Sequence, residues 1–207
     1  MSMNSLDKLI AKFENFPGVG ARQARRFAFH ILTLPPEEVT ELSSLMTSLE
    51  GNVTECVSCR RFYAKNGGDT GLCSICSDGT RDLSKLLVVE RDTDIQSIER
   101  SGVYEGLYFV LGGTVPLLDS KENSKLRGGG LKRLVEERLE KDLEEVILGF
   151  SVNPDGENTG RFVESILREI NGADKLKISY LGRGLSTGSE LEYADPETLK
   201  NALQNRH

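Results

Sequence analysis

Several ingredients of common enzyme classes are missing or scarce in this sequence. It has only two histidines, His30 and His207, so a serine or cysteine nucleophile activated by histidine has weak support. No Gly-x-x-x-x-Gly-Lys-Ser/Thr motif is present, which argues against P-loop nucleotide chemistry. Gly18-Val19-Gly20 lacks both a third spaced glycine and a preceding strand, so the dinucleotide-binding fingerprint fails as well.

Long hydrophobic runs and a secretory leader are also lacking. The longest apolar runs, such as residues 86–89, are far too short to span a bilayer. Met1-Ser2-Met3-Asn4 shows no basic start followed by an apolar core, as a secretory signal would. With 38% hydrophobic and 28% charged residues, the composition is typical of a soluble globular protein. We therefore expect a cytoplasmic protein with no membrane association.

The sequence has fewer basic residues than acidic ones, 26 against 32. The formal net charge is -6, which by itself argues against a protein coated in nucleic acid. The charge is unevenly spread, however, because arginines cluster near the N-terminus whereas residues 136–157 are densely acidic. This asymmetry of sign is more informative than the sum.

Cysteine is scarce, but its spacing is informative. All four cysteines fall in two Cys-x-x-Cys pairs separated by thirteen residues, Cys56 with Cys59 and Cys73 with Cys76. Two such knuckles can complete the tetrahedral sulfur shell that zinc prefers, and four thiolates leave no open position, so the zinc would be structural. The alternatives are two disulfides, which need an oxidising compartment, and a dithiol redox motif, which needs a single pair beside a βαβ unit.

Three helices are predicted at the N-terminus. Apolar residues recur with helical spacing over residues 6–13 and again over residues 24–31. Between them, residues 16–20 suit a tight turn in which Gly18 and Gly20 adopt backbone angles closed to other residues. A third helix begins near Pro36 and ends at Gly51-Asn52. Its buried stripe is predicted to consist of Val39, Leu42, Met46 and Leu49.

The turn and the arginines after it predict a nucleic-acid contact. At the start of the second helix, backbone N–H groups have no intrahelical partner and favour a phosphate. Arg22, Arg25 and Arg26 follow at once and add guanidinium groups, while no side chain there is suited to reading a base edge. Sequence-independent DNA binding is the resulting hypothesis, and an ordinary helical hairpin with a solvated basic face is the alternative. His30 is expected to be a packing residue.

After Cys76 the pattern changes to an alternation of strands and helices. Buried strands are predicted at residues 86–89, 107–111, 146–150 and 176–181. Helices are predicted between them: one capped by Asp94 and stopped by Gly102, one over residues 131–139, and one over residues 162–170. A polar, glycine-rich loop is predicted at residues 112–130. The alternation implies a parallel sheet covered by helices on both faces.

Three carboxylates fall where such a sheet places ligands. Glu90 directly follows the first strand, and Asp155 and Glu157 lie in the predicted turn after the third. If they converge, they suit a magnesium ion; the alternative is that they are solvated turn residues. We expect this acidic group to dock a basic partner rather than to catalyse, because the turn offers no group that positions a substrate.

In its order of parts the chain resembles the RecR recombination mediator family over essentially its full length. The motifs are residues 16–20 followed by Ala28-Phe29-His30-Ile31-Leu32, the four-cysteine cluster, Val88-Val89-Glu90 with Asp94-Ile95, Tyr108-Phe109-Val110-Leu111, and Gly188-Ser189-Glu190-Leu191-Glu192-Tyr193-Ala194-Asp195. The resemblance implies an α/β multi-module fold. Its parts are a helix-hairpin-helix DNA-binding domain (residues 1–53), a four-cysteine zinc-finger motif (54–78), a Toprim domain (84–186) and a C-terminal segment (187–207).

The resemblance also implies a function. Members of the family are non-enzymatic DNA-repair proteins that form homo-oligomers, here a dimer or a tetrameric ring, and act with RecO and RecF to help load recombinase on single-stranded DNA. By position, Arg22 and Arg26 match the basic residues that touch DNA, single- or double-stranded, and Glu90, Asp155 and Glu157 match the acidic Toprim positions. The alternative from another class is a Toprim-type nuclease or primase whose carboxylates hold magnesium.

Overall fold

The structure is a computed structural model that describes residues 4–65, 67–117, 126–182 and 196–204, together with residues 185, 188, 190, 192 and 194. The chain divides into two compact units, Met1–Val53 and Thr54–His207. None of the helices in the described ranges has the length and apolar character needed to cross a membrane. Ser189, Leu191, Tyr193, Asp195 and His207, which figure in the sequence motifs above, lie outside the described residues.

The first unit contains three helices, α1 (Ser5–Glu14), α2 (Ala21–Ile31) and α3 (Pro36–Asn52). The Asn4 side chain caps α1 by accepting a hydrogen bond from the Asp7 N–H at 2.8 Å. Phe13 packs edge-on against Phe27, with ring centroids 5.9 Å apart, and so joins α1 to α2. The predicted helical hairpin is therefore confirmed.

The predicted burial of α3 is wrong for the single chain. No residue of α3 is buried, and the exposed fractions of Leu42, Met46 and Leu49 are 38%, 57% and 58%. His30 is likewise exposed rather than a packing residue. A periodic apolar stripe predicts that a face is covered, but it carries no information on whether the cover belongs to the same chain.

The second unit is built on two sheets. A two-stranded sheet pairs β1 (Val53–Glu55) with β2 (Phe62–Ala64). A four-stranded parallel sheet follows in the order β4-β3-β5-β6, formed by β3 (Asp82–Val89), β4 (Gly106–Val110), β5 (Glu145–Gly149) and β6 (Lys177–Tyr180). Val88 on the central strand β3 lies opposite Phe109 and Leu148. The predicted parallel sheet is confirmed.

The helices of this unit are α4 (Asp92–Ser101), α5 (Gly128–Leu139), α6 (Pro154–Arg168) and α7 (Pro196–Gln204), with a 3-10 turn at Ala173–Lys175. Two predicted boundaries are wrong. The last residues of the predicted loop 112–130 belong to α5, and the predicted turn at residues 153–157 is the cap and first turn of α6. The Asn153 side chain accepts from the Gly156 N–H at 2.8 Å. An Asn-Pro pair starts a turn and a helix with the same residues, which explains the error.

At α4 the predicted roles are shifted by a few residues. Arg91 is the N-cap, and Asp94 lies inside the helix with its carboxylate accepting the Arg91 N–H at 2.8 Å. Asp94 therefore satisfies the helix start from within rather than from the cap position. Gly102 ends the helix in the left-handed conformation, with φ 65°, as predicted.

The four-cysteine module packs into the same core as the parallel sheet. Cys56, Cys59 and Cys73 are buried in one hydrophobic cluster with the residues of β3 and β4. The Val110 N–H donates to the Cys59 carbonyl at 2.8 Å, so the first knuckle pairs with β4, which is an edge strand. The Arg127 guanidinium adds a second link, because it bonds Glu55 at 2.7 Å and the Val110 carbonyl at 3.2 Å. The module thus covers an otherwise open sheet edge.

A partly buried ion pair holds α4 against β4. The Arg81 guanidinium donates to both carboxylate oxygens of Glu99, and the Tyr108 hydroxyl donates to one of them at 2.6 Å. The guanidinium, helped by the hydroxyl, holds the pKa of Glu99 below its ordinary value. Because the pKa is depressed in the folded state, this stabilisation is present above the ordinary carboxyl pKa and is lost as the pH falls through the folded value.

Glu99→Gln is expected to lower the free energy of unfolding at neutral pH by about 1–3 kcal/mol, because a charge-assisted pair loses its charge while Arg81 stays partly buried. Denaturant unfolding of both proteins at pH 7 and at steps below about pH 4.5 measures this. The difference in the free energy of unfolding between wild type and Glu99→Gln should become smaller as the pH falls. Glu136→Gln, an exposed position on α5, is the control. A difference in the free energy of unfolding between wild type and Glu99→Gln that stays constant with pH would contradict the assignment.

Candidate metal centre, hairpin and acidic strand ends

The two knuckles bring all four cysteine sulfurs together. The Sγ atoms lie within 4.8 Å of one another, and those of Cys59 and Cys73 are 3.5 Å apart. A tetrahedral zinc with Zn–S bonds near 2.3 Å needs sulfurs about 3.8 Å apart, so the group fits one ion. All four cysteines are free in the structure, and no disulfide joins them. Among the described residues, no other group of three or more Cys, His, Asp or Glu side chains is placed to hold a metal.

The four thiols of the cluster interact with one another. The pKa of Cys56 lies far below its ordinary value, because the Cys59 thiol, followed by those of Cys73 and Cys76, donates to its sulfur. The pKa of Cys59 is raised for the converse reason, since its proton is held by Cys56. The Cys73 N–H also points at the Cys56 sulfur, at 3.4 Å. A closed set of sulfur donors suits zinc in a structural role and gives a substrate no open position.

The hairpin residues predicted to contact DNA lie at the start of α2. Gly18 has φ 75° and needs the freedom of glycine, whereas Gly20, the N-cap with φ -82°, has an angle open to any residue, which corrects that part of the prediction. No side chain caps α2 and its first turn holds no acidic residue, so the end of the helix is open to an anion.

The three arginines of the hairpin form no ion pair with a carboxylate of the described residues. Arg22, Arg25 and Arg26 are all exposed. Arg26 donates weakly to the Gln23 side chain, at 3.4 Å, and within the described part of the chain none of the three forms an ion pair. No described carboxylate therefore neutralises their positive charge, which can attract an external anion.

The three predicted acidic residues each bond to the protein. Glu90, only 7% exposed, accepts the Ser151 N–H at 2.8 Å, and Asp155 accepts the Leu117 N–H at 3.0 Å. Glu157 pairs with Arg161 one helical turn on, at 3.7 Å. The structure does not place them, within its described residues, as a three-ligand metal group.

Sequence reasoning missed two residues beside this acidic group. Thr159 is fully buried, and its hydroxyl accepts the Val115 N–H at 2.8 Å while donating to the Asp155 carbonyl at 2.6 Å. The Asn158 side chain donates to the Val115 carbonyl at 3.3 Å. With Asp155 these residues fasten residues 115–117 to α6. Their helical spacing was the available signal, but assigning residues 153–157 to a turn hid it.

Comparison with known proteins gives three matches in series along the chain. The family described as RecR, helix-hairpin-helix matches residues 6–49, the Toprim domain family matches residues 84–181, and the family described as RecR, C-terminal matches residues 184–207. Together with the four-cysteine cluster, these matches define a Toprim protein that carries a helix-hairpin-helix unit at its N-terminus.

Whole-chain relatives make the assignment specific. The Recombination protein RecR of Streptococcus thermophilus is 34% identical over 199 residues, 96% of this chain and 94% of its own. The Recombination protein RecR of Bifidobacterium adolescentis is 36% identical over 202 residues, 98% of this chain and 95% of its own. That of Lactobacillus acidophilus is 33% identical over 200 residues, with 96% and 94% covered. The chain belongs to the RecR family.

Proposed function

We propose that this protein is a cytoplasmic, DNA-binding recombination mediator in bacterial recombinational repair, and that it is not an enzyme. It acts with RecO and RecF to help load recombinase on single-stranded DNA. Family membership supports the biological role, since the relatives are named Recombination protein RecR. Its parts are the DNA-binding domain at residues 1–53, the zinc finger at 54–78, the Toprim domain at 84–186 and the C-terminal segment at 187–207.

The observation that carries the proposal is the uncapped start of α2 beside three unpaired arginines. Backbone N–H groups and the guanidinium groups of Arg22, Arg25 and Arg26 bind phosphates, while Gly18 and Gly20 leave the turn free of bulk. Phosphate contacts position a protein without reading sequence. Fluorescence anisotropy with labelled single strands and duplexes of unrelated sequence tests this: binding of both forms, indifferent to sequence, is expected.

Structural zinc is the cofactor we assign, held by Cys56, Cys59, Cys73 and Cys76. When bound, zinc fixes the two knuckles relative to each other and so supplies rigidity rather than chemistry. The first knuckle then keeps its bond to the Val110 N–H, which leaves the edge of the Toprim sheet covered.

A docking role is assigned to the acidic strand ends. The carboxylates of Glu90 and Asp155 each accept a hydrogen bond from a backbone N–H group. These bonds favour a structural role over the binding of a catalytic magnesium ion. Glu157 and the exposed Asp155 leave an acidic surface at the start of α6, and such a surface attracts a basic partner. RecO is the partner we propose.

Glu157→Ala is expected to weaken RecO association by roughly 2–10-fold while leaving zinc content and DNA affinity unchanged, because a charge at the rim mainly affects encounter rate and salt dependence. Surface plasmon resonance at two salt concentrations measures it. Glu169→Ala, at the other end of α6, is the matched control. Glu157 is a better test than Asp155, whose loss also releases the Leu117 N–H. Equal RecO affinity in wild type and Glu157→Ala would contradict the proposed docking role.

A homo-oligomer, either a dimer or a tetrameric ring, is proposed on the exposed stripe of α3. Leu42, Leu45, Met46 and Leu49 repeat on one helical face and are 38–58% exposed, as expected for a contact with another copy. Light scattering should give a mass in solution that is a multiple of the 22.9 kDa chain mass. Met46→Glu should reduce this mass in solution. The exposed polar position Ser44→Glu is the control. A wild-type mass of one chain at micromolar concentration would contradict the proposal.

A further inference from the structure

A second basic site lies within the Thr54–His207 unit, in residues that have no part in the hairpin or the acidic strand ends. A cleft of about 550 Å³ opens between the first cysteine knuckle and α5. Five aliphatic side chains line it, namely Val57, Leu72, Leu83, Leu134 and Leu143. It also carries four cations, Arg60, Arg133, Arg138 and Lys141. The volume lies within the range of about 300–1,000 Å³ that is typical of ligand-binding clefts.

The cations of the cleft are only partly neutralised. Arg133 is exposed and has no hydrogen-bond or ion-pair partner in the part of the chain that the structure describes. Arg138 donates to an uncharged acceptor, the Ser58 hydroxyl, at 3.2 Å. Lys141 has a close carboxylate, Glu137, at 2.9 Å, and Arg60 has a longer ion pair with Glu55, at 3.6 Å. The cleft therefore holds guanidinium charge that an external anion can satisfy.

Two features of Arg60 favour the binding of an external anion in the cleft. Its ion pair with Glu55 is long, at 3.6 Å, because Glu55 is bound more closely by Arg127, at 2.7 Å. Arg60 is also the one non-glycine residue of the described chain with a positive φ, 65°. Glycine or asparagine adopts that conformation at less cost, so an arginine there points to a use for its side chain.

We propose that this cleft binds an acidic peptide segment of a partner protein. Carboxylates of the segment pair with Arg60, Arg133 and Arg138, since guanidinium groups bind carboxylates with two parallel hydrogen bonds. An aliphatic or aromatic side chain of the segment covers Val57 and Leu83, which are 61% and 49% exposed. A nucleic-acid backbone fits less well, because it leaves those apolar side chains uncovered.

The test uses the full-length, zinc-loaded protein and a fluorescein-labelled synthetic peptide in which Asp and Glu residues flank a Phe-Leu pair. Anisotropy should show saturable binding that Arg133→Glu weakens by about tenfold or more, because a carboxylate contact is replaced by repulsion. Arg100→Glu, an exposed position on α4 outside the cleft, is the matched control and should bind like wild type. A peptide with Ser-Ser in place of Phe-Leu, and the Leu83→Ser variant, should each bind more weakly.

Arg60→Gly separates binding from folding. Glycine suits the left-handed backbone, so the unfolding midpoint should hold or rise while peptide affinity falls. Peptide affinity unchanged in both Arg60→Gly and Arg133→Glu would overturn the proposal. It is equally overturned if orthophosphate or a single-stranded oligonucleotide displaces the peptide at comparable concentration, which indicates a phosphate site. A change of oligomer mass in Arg133→Glu without any peptide binding by wild type assigns the cleft to contacts between copies and also overturns it.

Discussion

Serine in place of Cys59 or Cys73 is expected to abolish zinc binding and to unfold the four-cysteine module. Four thiolates around zinc supply roughly 10–16 kcal/mol of apparent binding energy, which is as large as the whole stability of a typical domain. The module has little else to replace it, because β1 and β2 are three residues each. The loss should spread to the parallel sheet, since these cysteines are buried in its core and Cys59 pairs with β4.

Metal analysis and thermal unfolding measure this effect together. Protein purified without chelator should carry one zinc per chain, and the serine variants should carry none and melt well below wild type. Ser74→Ala, an exposed position in the same knuckle, is the control and should keep both zinc and stability. Chelation of the wild type should reproduce the variants. Wild type free of zinc, or a Cys73→Ser variant that retains it, would contradict the assignment.

Replacing both Arg22 and Arg26 by alanine is expected to cause the second large effect, a loss of DNA affinity on every sequence tested. Each guanidinium that contacts a phosphate releases condensed counterions, so two lost contacts should reduce the slope of log K against log salt by roughly 1.8 on duplex and 1.4 on single strands. Both arginines are exposed and pair with no carboxylate in the described ranges, so the fold should be unaffected.

A matched control keeps the net charge equal. Arg161→Ala with Arg168→Ala removes two exposed arginines from α6, away from the hairpin. This pair should leave both the affinity and the salt slope near wild type, because the binding depends on where the charge lies rather than on its total. If instead the two double variants lose affinity equally, the hairpin is not the DNA site.

The parts that sequence predicted well are those set by strong local constraints. Two Cys-x-x-Cys pairs can hardly be arranged around one ion in another way, and the structure gathers their sulfurs. The apolar run at residues 86–89 is buried on both faces, as a central parallel strand requires, and the glycine-rich turn before Arg22 lies between two packed helices. In each case a short stretch of sequence is enough to predict the local structure.

The parts that sequence missed depend on partners remote in the chain. The hydroxyl of Thr159 holds Val115, 44 residues away, and no local pattern records that bond. The stripe of α3 was correctly periodic, yet no residue of this helix is buried in the single chain. Arg60 takes a left-handed conformation that its residue type disfavours, so propensity alone points away from it.

Recombinase assembly on single-stranded DNA coated by its binding protein tests the central claim most directly. The reaction contains RecO, magnesium and nucleotide, and the same DNA is afterwards run on a denaturing gel. A mediator predicts that this protein accelerates filament assembly, that Arg22→Ala with Arg26→Ala abolishes the acceleration, and that the DNA stays intact. The contrary result is no acceleration together with magnesium-dependent cleavage or primer synthesis that disappears in Glu90→Gln, which makes the protein a Toprim enzyme.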